Sequence, residues 1–240
     1  MKFLNFYKLK NYYDSFVKTD LHIPARSGSS RIKNKNIYKI DGIPMIGHVI
    51  KILIKSKIFS KIIVSTDGAE IAKIAIKYGA HVPFVRSKKL SNSTSTIKDT
   101  VVDTIKKIKS QNHPFHFVVY PTAILIEPID LQKAFKLLIG NSRANTLLSI
   151  VENISFFRSL VVDKKNQNEI IWKWKKFQKK MSQDLDKAYN DSGTFFIFKT
   201  KLFLQNKKNV LVKPVIPFLI DKHKGIDVNT HDDLKMLKIA

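Results

Sequence analysis

Through its first 150 residues the chain alternates short apolar runs with longer stretches whose apolar residues recur every three or four positions. That alternation leaves few folds open. Residues 37–40, 61–66 (KIIVST), 82–85 and 117–120 read as strands. Between them, Met45, Ile46, Val49, Ile50 and Leu53 share a helical face, and so do Ile97, Val101, Ile105 and Ile108. Residues 69–78 and 130–139 complete the helical set. The turn chemistry agrees. Asp41-Gly42 turns a strand, Pro44 suits a first helical turn, Gly79 suits a C-cap, and Asp130 and Gly140 bracket the last helix. Strand–helix repetition of this kind predicts an α/β fold with a mostly parallel sheet covered on both faces.

The pattern changes after residue 146. Residues 146–151, 160–162 and 170–174 read as strands, 193–199 (GTFFIFK) as a buried strand, and 230–239 as an amphipathic closing helix. Residues 164–180 are strongly basic with Trp172, Trp174 and Phe177 interleaved, which suits an exposed hairpin or arm. Such a stretch can stack on single-stranded nucleic acid or pack against a second subunit, and the second reading is preferred.

Composition narrows the classes further. With 240 residues, 44% of them hydrophobic, the chain is long and apolar enough for one globular domain. The absence of cysteine excludes disulfides and thiolate metal sites. No apolar run reaches membrane-spanning length, and Lys8, Lys10, Asn11 and Asp14 interrupt any leader-like core, so a cytoplasmic protein with no membrane partner is expected. The net charge is +24, yet only five of the 43 basic residues are arginine, so solvated lysines explain the charge better than nucleic-acid readout. The seven histidines show no metal-ligand spacing.

One segment concentrates chemistry. In residues 23–37 (IPARSGSSRIKNKNI) a strand end runs into small residues and then basic ones. Gly28 permits close backbone approach, Ser27, Ser29 and Ser30 offer hydroxyls, and successive N–H groups can form an anion nest. Arg26, Arg31, Lys33 and Lys35 supply charge for a polyphosphate, although a basic surface loop would read the same way. Asp67, following a strand, is expected to cap the next helix.

This segment resembles the N-terminal motif of the sugar-acid cytidylyltransferases, the CMP-sialic acid synthetase family, and further segments follow in that family's order. These are Val64-Ser65-Thr66-Asp67, the stretch Gly79-Ala80 to Arg86, Tyr120-Pro121-Thr122-Ala123, the stretch Ser182-Gln183-Asp184 to Phe195, and Ile226-Asp227 to Asp233. The fourth and fifth of these six look most like the pseudaminic acid members. The resemblance covers residues 21–238 and implies a Rossmann-like three-layer sandwich with a β-rich dimerisation insertion at 151–192. The domain would span 17–240, with 1–16 as an extension.

The implied reaction transfers CMP from CTP to the anomeric hydroxyl of a nonulosonic acid, releasing pyrophosphate. Mg2+ is the implied cofactor and a homodimer the implied assembly. By the resemblance, Arg26, Ser29, Lys35 and Asp227 would be catalytic. Ala25, Arg26, Gly28, Asn36, Arg86, Thr96, Pro121 and Thr122 would bind the nucleotide. Gln183, Tyr189 and Asp191 would face the sugar acid, and Asp227 and Asn229 would hold the metal.

The chain departs from the family pattern at four places. Ser30 stands where a lysine is common, Lys33 where a proline is usual, and Asn229 where the closing Asp-x-Asp has its second carboxylate. The first strand, over 17–23, places Lys18, Asp20 and His22 on one face, so a wet face or a poorly formed strand is expected there. These departures leave one alternative to an active synthetase, a catalytically impaired nucleotide-binding relative of the same fold, and the basic stretch 164–180 leaves another, a basic nucleic-acid-binding protein.

Overall fold

The computed structural model describes residues 19–29, 31–153, 156–163 and 169–239. The expected extension over 1–16, Val17 and Lys18 of the first strand, Ser30, and residues 164–168 of the arm lie outside the described residues. In chain order the elements are β1 (Thr19–Pro24), β2 (Lys39–Ile40), β3 (Ile43–Pro44), α1 (Met45–Ser56), β4 (Lys61–Ser65), α2 (Ala69–Lys77), α3 (Lys88–Ser91) and α4 (Ile97–Lys107). After these come β5 (Phe115–Val119), α5 (Pro128–Gly140), β6 (Thr146–Glu152), β7 (Leu160–Val162), β8 (Ile170–Trp172), β9 (Tyr189–Lys199), α6 (Thr200–Gln205), β10 (Val215–Leu219) and α7 (His231–Ile239).

Six strands form one sheet in the order β10-β6-β9-β5-β1-β4. β1 runs parallel to β4 and β5, β6 runs parallel to β10, and β9 runs antiparallel to both β5 and β6. The result is the mostly parallel α/β sandwich that the strand–helix alternation predicts. The period-two pattern of β1 and β5 sorts their side chains between two layers. Leu21, Ile23, Phe117 and Val119 join the main core, which α1 and α5 cover with Val49, Ile50, Leu53, Leu131 and Leu138. Each such fully buried side chain is worth about 1.5–3 kcal/mol. On the other face Val118, Phe196 and Phe198 pack under Val101 and Ile105 of α4 and Phe203 of α6.

Four local expectations change. β1 is neither wet nor poorly formed: it pairs on both sides, and Asp20 and His22 are only 2% and 1% exposed. One partner comes from elsewhere in the chain: His113 Nδ1 lies 3.2 Å from Asp20 Oδ2. In place of a strand over 82–85 the chain makes two isolated bridges, at His81 and at Val85. Asp130 is not the cap of α5. Glu127 is, and Asp130 sits three residues in, its carboxylate accepting from the Glu127 N–H at 2.8 Å in a capping box. β9 begins at Tyr189, four residues before the sequence pattern suggests, because its first residues pair with Val151 and Glu152 beyond an irregularity in β6. Among the described residues, no helix is long and apolar enough to cross a membrane.

Candidate nucleotide site

Parallel strands deliver their C-terminal ends to one edge of a sheet, and ligands of open α/β sheets bind there. Here β1 ends at Pro24 and β5 leads into Tyr120, Pro121 and Thr122, and all four line a pocket of about 440 Å3. The loop after β1 contributes Arg26, Ser29, Arg31, Lys35 and Asn36; β9 contributes Asp191 and Gly193; the segment before α7 contributes Asp227 and Asn229.

The loop after β1 is held by internal bonds. Asp67 Oδ1 accepts from the Ser27 N–H at 2.8 Å, and Oδ2 accepts from the Ser27 hydroxyl at 2.7 Å. Partial burial works against the Asp67 charge, but these bonds outweigh it and hold the carboxyl below its usual range. Asp67 is therefore a loop anchor and not the helix cap expected from its position; Gly68 stands at the cap of α2. The Ser29 N–H is also used inside the loop, by the Ser27 carbonyl at 2.9 Å. The expected nest of loop amides facing a phosphate thus excludes Ser27 and Ser29. Asn36 is buried and donates its side-chain amide to the Arg26 carbonyl at 2.9 Å, closing the loop at its far end.

The charged groups converge from three elements. Arg26 donates to the Asn92 carbonyl at 2.8 Å, and Lys35 Nζ to the Val228 carbonyl at 2.6 Å. Burial lowers the Lys35 pKa, against the opposing pull of Asp227 and with reinforcement from Arg31 and Arg26. Burial, together with the charges of Asp191 and Asp227, pushes the Tyr120 phenol up to about 12, so it remains a hydroxyl donor. Gly193 has φ +64°, and a Cβ there would stand 3.2 Å from the Asp227 side chain. Glycine is what lets Asp227 lie against β9.

The Asp227 turn is itself a capped helix start. Asp233 Oδ2 accepts from the N–H groups of Asn229 and Thr230 at 2.8 and 2.7 Å, and the Thr230 hydroxyl accepts from the Asp233 N–H at 3.2 Å. The Asn229 side-chain amide donates to Asp227 Oδ2 at 2.6 Å. Asp227 Oδ1 and the Asn229 side-chain carbonyl are the hard oxygens that remain, a set that fits a magnesium ion sharing its other positions with phosphate and water.

The pocket brings together Arg26, Ser29, Lys35, Asn36, Pro121, Thr122, Asp191, Asp227 and Asn229 of the expected residues. Six others fall outside its lining. Ala25 is fully buried beneath it, its N–H on the Ser65 carbonyl at 3.0 Å. Gly28 lies on the exposed outer turn of the loop. Arg86 is buried, with its guanidinium on the carbonyl and hydroxyl of Ser65. Thr96 caps α4 by accepting from the Asp99 N–H at 3.1 Å. Gln183 is exposed on the arm, and Tyr189 is 44% exposed at the start of β9. Arg31, expected as charge for a polyphosphate, lines the pocket too, whereas Pro24, Tyr120 and Gly193 line it without being assigned to the site by the sequence. The signal for Tyr120 was its place between the end of a strand and Pro121.

Comparison with known proteins agrees with this geometry. The chain is 34% identical over 220 residues to "Pseudaminic acid cytidylyltransferase" of Campylobacter jejuni subsp. jejuni serotype O:23/36 (strain 81-176), covering 90% of this chain and 93% of that protein. It is 30% identical over 220 residues to "CMP-N,N'-diacetyllegionaminic acid synthase" of Legionella pneumophila, covering 88% and 90%. Its fold matches that of a CMP:2-keto-3-deoxy-manno-octonic acid synthetase solved with CTP, at a TM-score of 0.69 and 16% identity over 92% of this chain and 97% of that one. Residues 22–232 match the family described as "Cytidylyltransferase", and the chain belongs to that family.

Proposed function

We propose that the protein is a CMP-sugar synthetase that transfers CMP from CTP to the anomeric hydroxyl of a nonulosonic acid, with pseudaminic acid as the first candidate. The observation that carries this reading is the convergence of Arg26, Arg31 and Lys35 with Asp191 and Asp227 on a single pocket. The cations suit a triphosphate, and Tyr120, Pro121 and Thr122 sit beside them at the end of β5. The anomeric oxygen attacks the α-phosphorus in line and loses its proton, the bond from that phosphorus to the bridging oxygen breaks, and pyrophosphate leaves. Such chemistry depends mainly on positioning and charge neutralisation. Arg26 and Lys35 bind and neutralise phosphate oxygens, Asn36 holds the loop in place, and Asp191 faces the sugar acid.

Asp227 and Asn229 are the residues we assign to hold Mg2+. When bound, the ion offsets phosphate charge and favours departure of pyrophosphate. The hairpin of β7 and β8 leaves Leu160, Val162 and Ile170 more than half exposed, which supports its role as an arm against a second copy of the chain. A cytoplasmic location fits the same reading.

The test is pyrophosphate release from CTP and Mg2+ with pseudaminic, N-acetylneuraminic, legionaminic and eight-carbon Kdo acids offered separately. Release with a nine-carbon acid alone establishes the reaction and the substrate. Silence with every acid, from folded protein that binds CTP, favours the impaired relative.

A further inference from the structure

At the opposite end of β1 and β5 from the pocket, side chains meet that the transfer reaction does not use. Asp20 of β1, His116 of β5 and His113 in the turn entering β5 each place a potential ligand atom within 4.8 Å of the others. Asp20 and His116 are register partners across the parallel pair. Asp20 Oδ2 stands 3.2 Å from His113 Nδ1. Asp20 is 2% exposed and His116 fully buried, whereas His113 is partly open to solvent. His22, 1% exposed and two residues along the same face of β1, sets its ring 5.0 Å from that of His116.

Hydrogen-bond accounting separates these groups. His116 is satisfied at both ring nitrogens, Nε2 with the Ser110 hydroxyl at 2.9 Å and Nδ1 with the Thr200 hydroxyl at 2.7 Å. Asp20 Oδ1, His113 Nδ1 and both ring nitrogens of His22 are buried without a hydrogen-bond partner. Buried polar atoms in folded proteins are nearly always paired, and each orphan costs about 1–3 kcal/mol. Three of these, Asp20 Oδ1 and the two nitrogens of His22, have no polar partner of any kind, whereas His113 Nδ1 has the Asp20 carboxylate beside it; on a sheet face otherwise lined by Val118, Phe196 and Phe198 they mark a site shaped around something polar.

The geometry points to a zinc-class metal site formed by Asp20, His113 and His116, with a fourth position for water. Two imidazoles and a carboxylate are a recurrent zinc set that keeps such a position open. Zinc ligands at about 2.0–2.1 Å stand about 3.3 Å apart in a tetrahedron. Asp20 and His113 already have that separation. His116 exchanges one hydroxyl partner for the ion, and the other hydroxyl then fixes its ring from the second nitrogen. Imidazole donors suit zinc far better than magnesium, so this site and the Asp227 turn select different ions. The partly exposed His113 sits in a surface depression with Gln111, Asn112 and Lys201, which supplies the route in. A bound ion ties β1 to β5 and to the turn before it.

The experiment uses the full chain, stripped by chelator and titrated without nucleotide with Co2+ alone and with Zn2+ alone. One equivalent of Co2+ should bind with the visible bands of a four- or five-coordinate nitrogen–oxygen site. One equivalent of Zn2+ should erase those bands and raise the melting temperature. His113→Ala, at a partly exposed position, should fold and lose more than about 100-fold in Zn2+ affinity. Asp227→Asn should leave the cobalt spectrum unchanged. Folded protein that takes up no Zn2+ at micromolar ion overturns the proposal, and so does uptake that survives His113→Ala.

Discussion

At their C-terminal ends β1 and β5 deliver Pro24, Tyr120 and Pro121 to an open pocket lined by charged side chains. At their N-terminal ends the same two strands bury Asp20 and His116 under helices. One pair of strands therefore carries polar chemistry in two regimes. In the pocket the backbone is anchored by Asp67 and Asn36 while the cations reach solvent. In the buried cluster the side chains are themselves part of the packing. The difference teaches which property each end controls: substitutions in the cluster should move stability and leave nucleotide binding alone, and substitutions in the pocket should do the reverse.

The largest expected effect is on stability. His116→Ala removes a fully buried ring and leaves the hydroxyls of Ser110 and Thr200 without it. A loss of about 3–5 kcal/mol is expected, the range for truncating a large buried ring. It should be read as a lower urea midpoint with an unchanged denaturant slope. The KM for CTP of the folded fraction should match that of the parent. A raised KM would break the division between the two ends.

Lys35→Ala is the converse. Losing one preorganised charge at the phosphates should lower kcat/KM about 10²–10³-fold. Its bond to the Val228 carbonyl is a local loss, so the urea midpoint should move by no more than about 1 kcal/mol. A large stability loss instead would make Lys35 a structural residue.

Asp67 lies between these cases, because it touches the loop and not the pocket. Asp67→Asn weakens the two bonds from Ser27, and a rise of about tenfold in KM for CTP with little change in kcat is expected, the scale of about 1.4 kcal/mol of loop ordering. Its acid dependence has a definite sign. The folded carboxyl sits below the ordinary aspartate value of 3.8, so its contribution to stability is complete above pH 3.8 and is lost as pH falls from there through the folded pKa. The stability difference between parent and Asp67→Asn should be flat at neutral pH and should shrink only in that acid window.

The two ends were unequally legible in the sequence. The sheet and its helices follow from periodicity because each element buries a continuous face. The loop after β1 is legible because Arg26, Lys35 and Asn36 lie within eleven residues of one another. The resemblance places Arg86 and Thr96 at the nucleotide, yet one is held by Ser65 and the other caps α4. Local sequence does not distinguish a guanidinium aimed at a ligand from one aimed at a carbonyl. The buried cluster is only half legible, for a different reason. Asp20 and His116 are 96 positions apart, and only the register of β1 against β5 makes them neighbours. His113 and His116, three positions apart, are the local half of the cluster, and a search along the chain cannot see that Asp20 completes it from across the sheet.

The smallest effect tests the Asp227 turn. Asn229 now donates its amide to Asp227 Oδ2 at 2.6 Å, which steadies that carboxylate without adding charge. Asn229→Asp removes the donor and sets two carboxylates side by side, a repulsion that a cation relieves. One added unit charge about 4 Å from the ion is worth about 1 kcal/mol for each unit of ionic charge in water-like surroundings. Screening and the lost hydrogen bond offset part of that gain. The Mg2+ concentration for half-maximal activity should therefore fall about fivefold, with kcat at saturating Mg2+ unchanged. If half-saturation stays where it was, Asn229 does not hold the ion, and the departure from the second carboxylate is a matter of turn geometry alone. A simultaneous rise in kcat at saturating Mg2+ would mean that the missing charge limits the transfer step itself.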